Sequence, residues 1–260
     1  QGVRACTSFG PSPMQSKPVP FMYWSREFLI PESPISEDCL YLNVWTGAKD
    51  PNEKRPVLVY IYGGGFQSGG TGCAIYDGTA MAQKGIVFVS INYRVGSFGF
   101  FAHPELTAES GYGASGNYAL LDMIAALKWV QDNITAFGGD PSQVTIAGQS
   151  AGSFAVNFLT ASPMAKGLFI RAIGESGANF YSNPRRGPAD LKSAENAGLE
   201  YARTMQAADL EALRNLPAEQ ILSTYRSISW PISDGYVLPG TVMDIYQAAK
   251  ENKFALLAGW

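Results

Sequence analysis

Gly148-Gln149-Ser150-Ala151-Gly152 is the one G-x-S-x-G run in the chain, and its spacing is that of a nucleophile held on a sharp strand-to-helix turn. A strand that passes at once into a helix forces the central serine into a strained backbone conformation that only small neighbours permit. Glycine at 148 and 152 lets strand and helix pass closely and leaves Ser150 Oγ exposed at the sheet edge. The N-terminus of the following helix adds partial positive charge where an oxyanion would form. Upstream, Tyr62-Gly63-Gly64-Gly65-Phe66 directly follows an apolar run. Consecutive glycines let backbone N–H groups reach a ligand oxygen with no Cβ in the way, and the pattern matches an H-G-G-G oxyanion loop with tyrosine for histidine. Together these residues could attack a carbonyl carbon through Ser150, with the N–H groups of Gly64, Gly65 and Ala151 as oxyanion donors. Each motif alone has a bland reading, a turn in an ordinary βα unit or a flexible glycine loop. Their pairing favours the chemical one. Gln149 stands beside the nucleophile. Ser176, in the near-repeat Gly174-x-Ser176-x-Ala178, is expected at the same edge as a hydrogen-bond partner or a strand-end cap.

A serine hydroxyl is a weak nucleophile without a base, and the sequence holds a single histidine, His103. It lies in Phe101-Ala102-His103-Pro104, after the second predicted strand, and reads as a loop residue packed against aromatics rather than as the base. The base is therefore expected from outside this chain. Arg94 and Asp140 read as a structural ion pair. Gly111-Tyr112-Gly113-Ala114-Ser115-Gly116 matches G-x-G-x-x-G, but residues 102–110 read as loop, and a dinucleotide fingerprint needs a strand there. Asn133-Ile134-Thr135 is a formal glycosylation sequon near a helix end.

The elements that must position these groups alternate from Pro56 onward between short apolar runs and helical periods, the mark of parallel α/β architecture. Residues 57–62 and 86–92 read as strands buried on both faces. Residues 117–137 read as a helix with Leu120, Ile124, Leu127 and Ile134 on one stripe, Asn117 as cap and Gly138-Gly139 as stop. Asp140-Pro141 then turns into a third strand at 143–147, followed by a helix at 151–160 and a strand at 169–174. Residues 184–252 read as mostly helical, with Pro188 and Pro217 in first turns, and 254–259 as a further buried strand. The chain divides into lead-in strands and loops (1–50), whose first 40 residues are expected to be antiparallel, a nucleophile-bearing core (56–180), the helical segment (184–252) and a last core strand (254–260), all parts of one domain.

Composition excludes much. Of 260 residues only 16% are charged, 46% are hydrophobic, and 19 basic against 22 acidic residues give a net charge of −3. That is ample material for a core. The balance argues against nucleic acid or an anionic membrane as partner, since both call for a basic excess. The uncharged stretch 56–76 is broken by six glycines and is no membrane span. Cys6, Cys39 and Cys73 have no metal-ligand spacing and leave room for one bridge and one thiol.

The chain resembles the type B carboxylesterases, the cholinesterase-like branch of the α/β-hydrolases. The resemblance rests on Ser36-Glu37-Asp38-Cys39-Leu40-Tyr41-Leu42-Asn43-Val44, the block around Gly63–Gly65, Asn92-Tyr93-Arg94, and Gly116-Asn117-Tyr118-Ala119-Leu120-Leu121-Asp122. It continues in Trp129-Val130-Gln131-Asp132-Asn133-Ile134, Phe137-Gly138-Gly139-Asp140-Pro141, Asp234-Gly235 and Leu238-Pro239. It implies an α/β-hydrolase fold, a mostly parallel central sheet flanked by helices and incomplete at both ends. It also implies hydrolysis of small-molecule carboxylic esters through an acyl-enzyme, by a Ser-Glu(or Asp)-His triad, with no metal or cofactor. By the same resemblance the triad acid and histidine belong to a complementary C-terminal segment or chain, and a secreted or periplasmic site is favoured over a cytoplasmic one. Three departures stand out. Gln149 replaces the family's usual glutamate, removing a negative charge beside the site. Pro13 stands where many relatives have the cysteine that bridges to the S-E-D-C-L cysteine, leaving Cys39 free or paired with Cys6. The chain stops before the family's acid and histidine positions. The competing reading is a non-catalytic cholinesterase-like adhesion protein, against which the intact Ser150 and glycine loop speak.

Overall fold

A six-stranded sheet carries the loops singled out above. The computed structural model describes all residues except 1–4, 21, 23, 32–33, 182–188, 224–229 and 260. Ahead of the sheet, β1 (Ser12–Pro13) and β2 (Ile35–Ser36) form a separate pair that is parallel, not antiparallel as the lead-in was expected to be. Their connection is long enough for the crossover that parallel strands require. The main sheet has the order β3 (Leu42–Trp45), β5 (Val87–Ile91), β4 (Arg55–Ile61), β6 (Gly139–Gln149), β7 (Arg171–Glu175), β8 (Ala255–Gly259), with β3 antiparallel to β5 and every other pair parallel. The helices are α1 (Thr79–Gln83), α2 (Gly96–Phe100), α3 (Pro104–Glu109), α4 (Tyr118–Asn133), α5 (Ala151–Ala161), α6 (Leu191–Thr204), α7 (Leu210–Arg214), α8 (Ala218–Leu222) and α9 (Val242–Gln247). None of them is long and apolar enough to cross a membrane.

Leu120, Ile124 and Leu127 of α4 and Val156, Phe158 and Leu159 of α5 pack in one buried cluster with Val57, Val59, Ile61, Val144 and Ile146. At about 1.5–3 kcal/mol for each large apolar side chain removed from water, this layer holds α5, and with it the serine turn, against the sheet. β8 is different: all five of its residues are exposed, so the apolar reading of 254–259 is right in type but not in burial.

Several local expectations need correction. The third strand begins at Gly139 rather than 143, because Asp140-Pro141 sits in an irregularity of the β4–β6 ladder, where Arg55 pairs with Gly139 and Val57 already with Val144. A proline that cannot donate is tolerated in such a bulge. The long helix is regular only to Asn133 and closes in a 3₁₀ turn, Ile134–Phe137, that Gly138 ends at φ 77°. Asn117 precedes it without a side-chain cap bond. Its amide instead grips a distant backbone, donating to Ile232 O at 2.8 Å and accepting from Ile232 N at 3.0 Å. Residues Pro104–Glu109, read as loop, are helical, with His103 as N-cap. Pro217 is the residue before α8, and Pro188 lies outside the described residues.

The expected Arg94–Asp140 pair does not form. Arg94 bonds Asp122 instead, through Nε at 2.9 Å, Nη2 at 2.7 Å and its backbone N–H at 3.1 Å, and it lies over the Tyr118 ring. Asp140 accepts from the Ser142 N–H and hydroxyl. Topology explains the error: Arg94 follows the C-terminal end of β5, whereas Asp140 is near the start of β6, which runs parallel through β4, so the two lie at opposite edges of the sheet. The Asp122 side chain is 5% exposed and that of Arg94 34%. Arg94→Met would strand a buried carboxylate, and we expect a loss of about 3 kcal/mol in urea unfolding, the low end of the range for a broken buried pair because Arg94 is partly solvated. Asp140→Asn should leave the midpoint where it is. Cys39 and Cys73 are buried thiols outside any disulfide, and burial pushes the Cys39 thiol up to about 11.

Candidate active site

β6 ends at Gln149 and α5 begins at Ala151, leaving one residue, Ser150, to turn the chain. Ser150 has φ 54° and ψ −122°, a left-handed conformation that is unfavourable for a residue with a Cβ by about 1–3 kcal/mol. Its surroundings impose it. The Ser150 N–H donates to Glu175 O at 2.9 Å, and its carbonyl accepts from Phe154 N at 3.0 Å to start the helix. The close approach needed is largest at Gly152, where a Cβ would stand 2.0 Å from the Ile61 carbonyl oxygen. Only glycine lets α5 lie this near β4. Ser150 itself is half-buried and Gln149 exposed, so the turn lies at the edge of the core rather than inside it.

The glycine loop touches this turn. A Cβ on Gly63 would stand 2.7 Å from the Gln149 oxygen, 3.2 Å from Ser150 Cβ and 3.6 Å from the Ala151 nitrogen. From there the backbone is left-handed for three residues, Gly64 at φ 109°, Gly65 at φ 64° and Phe66 at φ 60°. The Gly64 carbonyl is turned inward to accept from Gln67 N at 3.0 Å and Ser68 N at 3.1 Å. In a planar trans peptide the N–H points opposite to the carbonyl, so the Gly65 N–H faces out of the loop. The N–H groups of Gly64, Gly65 and Ala151 meet no acceptor among the described residues. The loop is anchored at its start by two fully buried tyrosines: Tyr93 OH donates to Tyr62 O at 2.8 Å, Tyr62 OH donates to Tyr93 O at 2.9 Å, and the rings stack at 4.3 Å. Burial raises both phenols well above the ordinary tyrosine range, which keeps these hydroxyls protonated as donors. Phe66 O accepts from Gly96 N at 2.7 Å.

Next to β6, β7 ends in Glu175, registered opposite Gln149. Ser176 follows at φ 58°, its N–H donating to Gly259 O at 2.8 Å. Two serines thus leave successive strands in the same left-handed way, each hung from the last carbonyl of the next strand. The fold brings Ser150, Ala151, Gly63 to Gly65, Gln149 and Ser176 to the C-terminal edge of the sheet, where open α/β sheets bind their ligands. His103 is 2% exposed, accepts from Glu105 N through Nδ1 and stacks against Phe101. It is engaged as a helix cap. The segment 111–116 follows α3 rather than a strand, so the dinucleotide reading has no support. Sequence reasoning missed Tyr93 as an anchor and the left-handed Phe66. The first is one aromatic among many, and the second follows only from a turn geometry that spacing does not encode.

The match to the model of the carboxylesterase family extends over residues 1–260. The chain belongs to this family. Among its relatives, fumonisin B1 esterase of Sphingopyxis macrogoltabida is 42% identical over 236 residues, covering 86% of this chain and 42% of that protein. Mouse cholinesterase is 38% identical over 255 residues, 91% of this chain and 41% of its own length. A solved carboxylesterase from Geobacillus stearothermophilus superposes with a TM-score of 0.83 at 36% identity, over 99% of this chain and 51% of that one. The family's α/β-hydrolase fold is therefore the fold of this chain, which spans about half the length of the relatives it matches or less.

Proposed function

We propose that the chain is the nucleophile-bearing part of a serine esterase that hydrolyses small-molecule carboxylic esters through an acyl-enzyme. The observation that carries this reading is the left-handed, half-buried Ser150, set between β6 and α5 with the glycine loop in contact. Ser150 Oγ attacks the ester carbonyl carbon, and the oxygen that becomes negative is held by the N–H groups of Gly64, Gly65 and Ala151. The alcohol leaves, Ser150 carries the acyl group, and water then releases the acid. Losing one such donor typically raises the barrier by about 2.7–4 kcal/mol. Gln149, neutral and exposed at the rim, leaves the site without the carboxylate usual there, which disfavours cationic substrates. Ser176 supports the turn from the neighbouring strand end. The chemistry uses no metal or cofactor.

The proton acceptor comes from a complementary segment that brings the triad acid and histidine. His103, with its ring nitrogen committed to a helix cap, is a poor candidate. The place for such a segment is the open flank of β8, where Leu256 and Leu257 are 62% and 65% exposed. The relatives named above are by name an esterase of fumonisin B1 in one case and a cholinesterase in the other, so the shared chemistry is the ester bond itself. In the complete protein a fluorophosphonate should label Ser150 and no other residue. A protein that resists the reagent and turns over no ester would refute the proposal. Ordinary turnover by residues 1–260 alone would instead make His103 the base.

A further inference from the structure

The glycine loop has a limb that returns past its own start, and that limb is held from outside. Gly69 is at φ 122°, and a Cβ there would stand 2.4 Å from the Tyr62 ring and 2.8 Å from the Gly63 oxygen. It therefore lies directly on the first glycine of the loop. Gln15, far away in sequence and only 5% exposed, takes both backbone groups of this one residue. The Gly69 N–H donates to Gln15 Oε1 at 2.9 Å, and Gln15 Nε2 donates to Gly69 O at 2.7 Å and to Pro13 O at 2.9 Å. A side-chain amide can offer an acceptor and two donors at once, and here all three are engaged. It does for Gly69 what an adjacent strand would do. Pro13 in turn is fixed by the β1–β2 pair.

The loop depends on such anchors. Among the described residues, the bonds made within 64–68 all converge on Gly64 O, which accepts from Gln67 N, from Ser68 N and, at 3.4 Å, from the Ser68 hydroxyl, and glycine at 64 and 65 gives the backbone wide freedom to rotate. Oxyanion donors act only if their direction is fixed before charge develops. We infer that Gln15 is a positioning residue for the oxyanion hole: its amide locks Gly69, and the contact of Gly69 with Gly63 fixes where the Gly64 and Gly65 N–H groups point. This rests on the reading of Ser150 as an esterase nucleophile.

The test compares Gln15→Ala and Gln15→Glu with the unaltered complete protein, on a nitrophenyl ester and on the matching thionoester, with melting temperature measured in parallel. Sulfur is a weak hydrogen-bond acceptor, so a thionoester draws little from an oxyanion hole. Gln15→Glu keeps the shape and the acceptor for Gly69 N–H but in its ionised form cannot donate to Gly69 O, and it serves if the alanine variant does not fold. The expected result is a fall in kcat for the oxygen ester of about 10²-fold, the scale of a misplacement near 1 Å, with KM little changed and a much smaller fall for the thionoester. Equal losses on both esters, or an unchanged kcat in a folded variant, overturn the inference while leaving Ser150 as nucleophile. An unaltered protein that hydrolyses neither ester overturns the esterase reading itself, and this inference with it.

Discussion

Ser150→Ala should reduce ester turnover by the complete protein about 10⁶-fold, the loss typical when the nucleophile of such a triad is removed. In the proposed mechanism the effect is this large because the remaining parts, the three amides and the histidine base, then have no atom to activate. They can only bind the ester and polarise it toward water. Labelling by a fluorophosphonate should vanish at the same time. The fold should not suffer. Both hydrogen bonds that hold residue 150 in place are made by its backbone, and alanine meets the same left-handed constraint as serine. Circular dichroism and the urea midpoint are therefore expected to match the parent. A folded alanine variant that kept a tenth of the activity would remove Ser150 from the mechanism altogether.

The second large effect is expected from Gly152→Ala, a change of one methyl group. That methyl would need to occupy a point 2.0 Å from the Ile61 oxygen and 3.0 Å from the Tyr62 oxygen. These are backbone atoms of the last residue of β4 and of the residue that follows it into the glycine loop, and neither can rotate away. Either α5 lifts off the sheet or β4 yields, and both displace Ser150 relative to Gly64 and Gly65. Overpacking of this kind costs about 1–3 kcal/mol and occasionally more, and we expect the upper end because no flexible side chain can give. Turnover should fall by at least about 10²-fold even below the melting transition, since a shift of order 1 Å at the reacting atoms has that effect. Stability and kcat measured on the same preparation check this. A variant that lost stability but retained kcat would show that helix and strand can separate without moving the hydroxyl.

Much of this site was legible in the sequence because its constraints are steric and local. A strand, a single turning residue and a helix require small neighbours, and the glycines at 148 and 152 declare that need directly. The run Gly63-Gly64-Gly65 does the same for the loop. What was not legible depended on groups meeting across the fold. Asp140 and Arg94 were paired because each sits at the end of a core strand or helix, although strand direction puts them at opposite sheet edges. Asn117 looked like a cap because asparagine before a helix usually is one, but the pull of Ile232 comes from a segment more than a hundred residues away. The partner of Gln15 was not legible either: one polar residue in a proline-rich stretch says nothing about Gly69. Asp140-Pro141 read as a turn because proline is barred from regular ladders, and only the register irregularity beside it makes room.

The paired serines at the ends of β6 and β7 have a wider consequence. Ser150 hangs from Glu175, and Ser176, the next residue along, hangs from Gly259, so the alignment of the proposed nucleophile is relayed from β8 through β7 like slack taken up along a row of linked hooks. Anyone exchanging or redesigning the strand that carries Gly259 would be retuning the serine from two strands away, without touching the turn or the glycine loop.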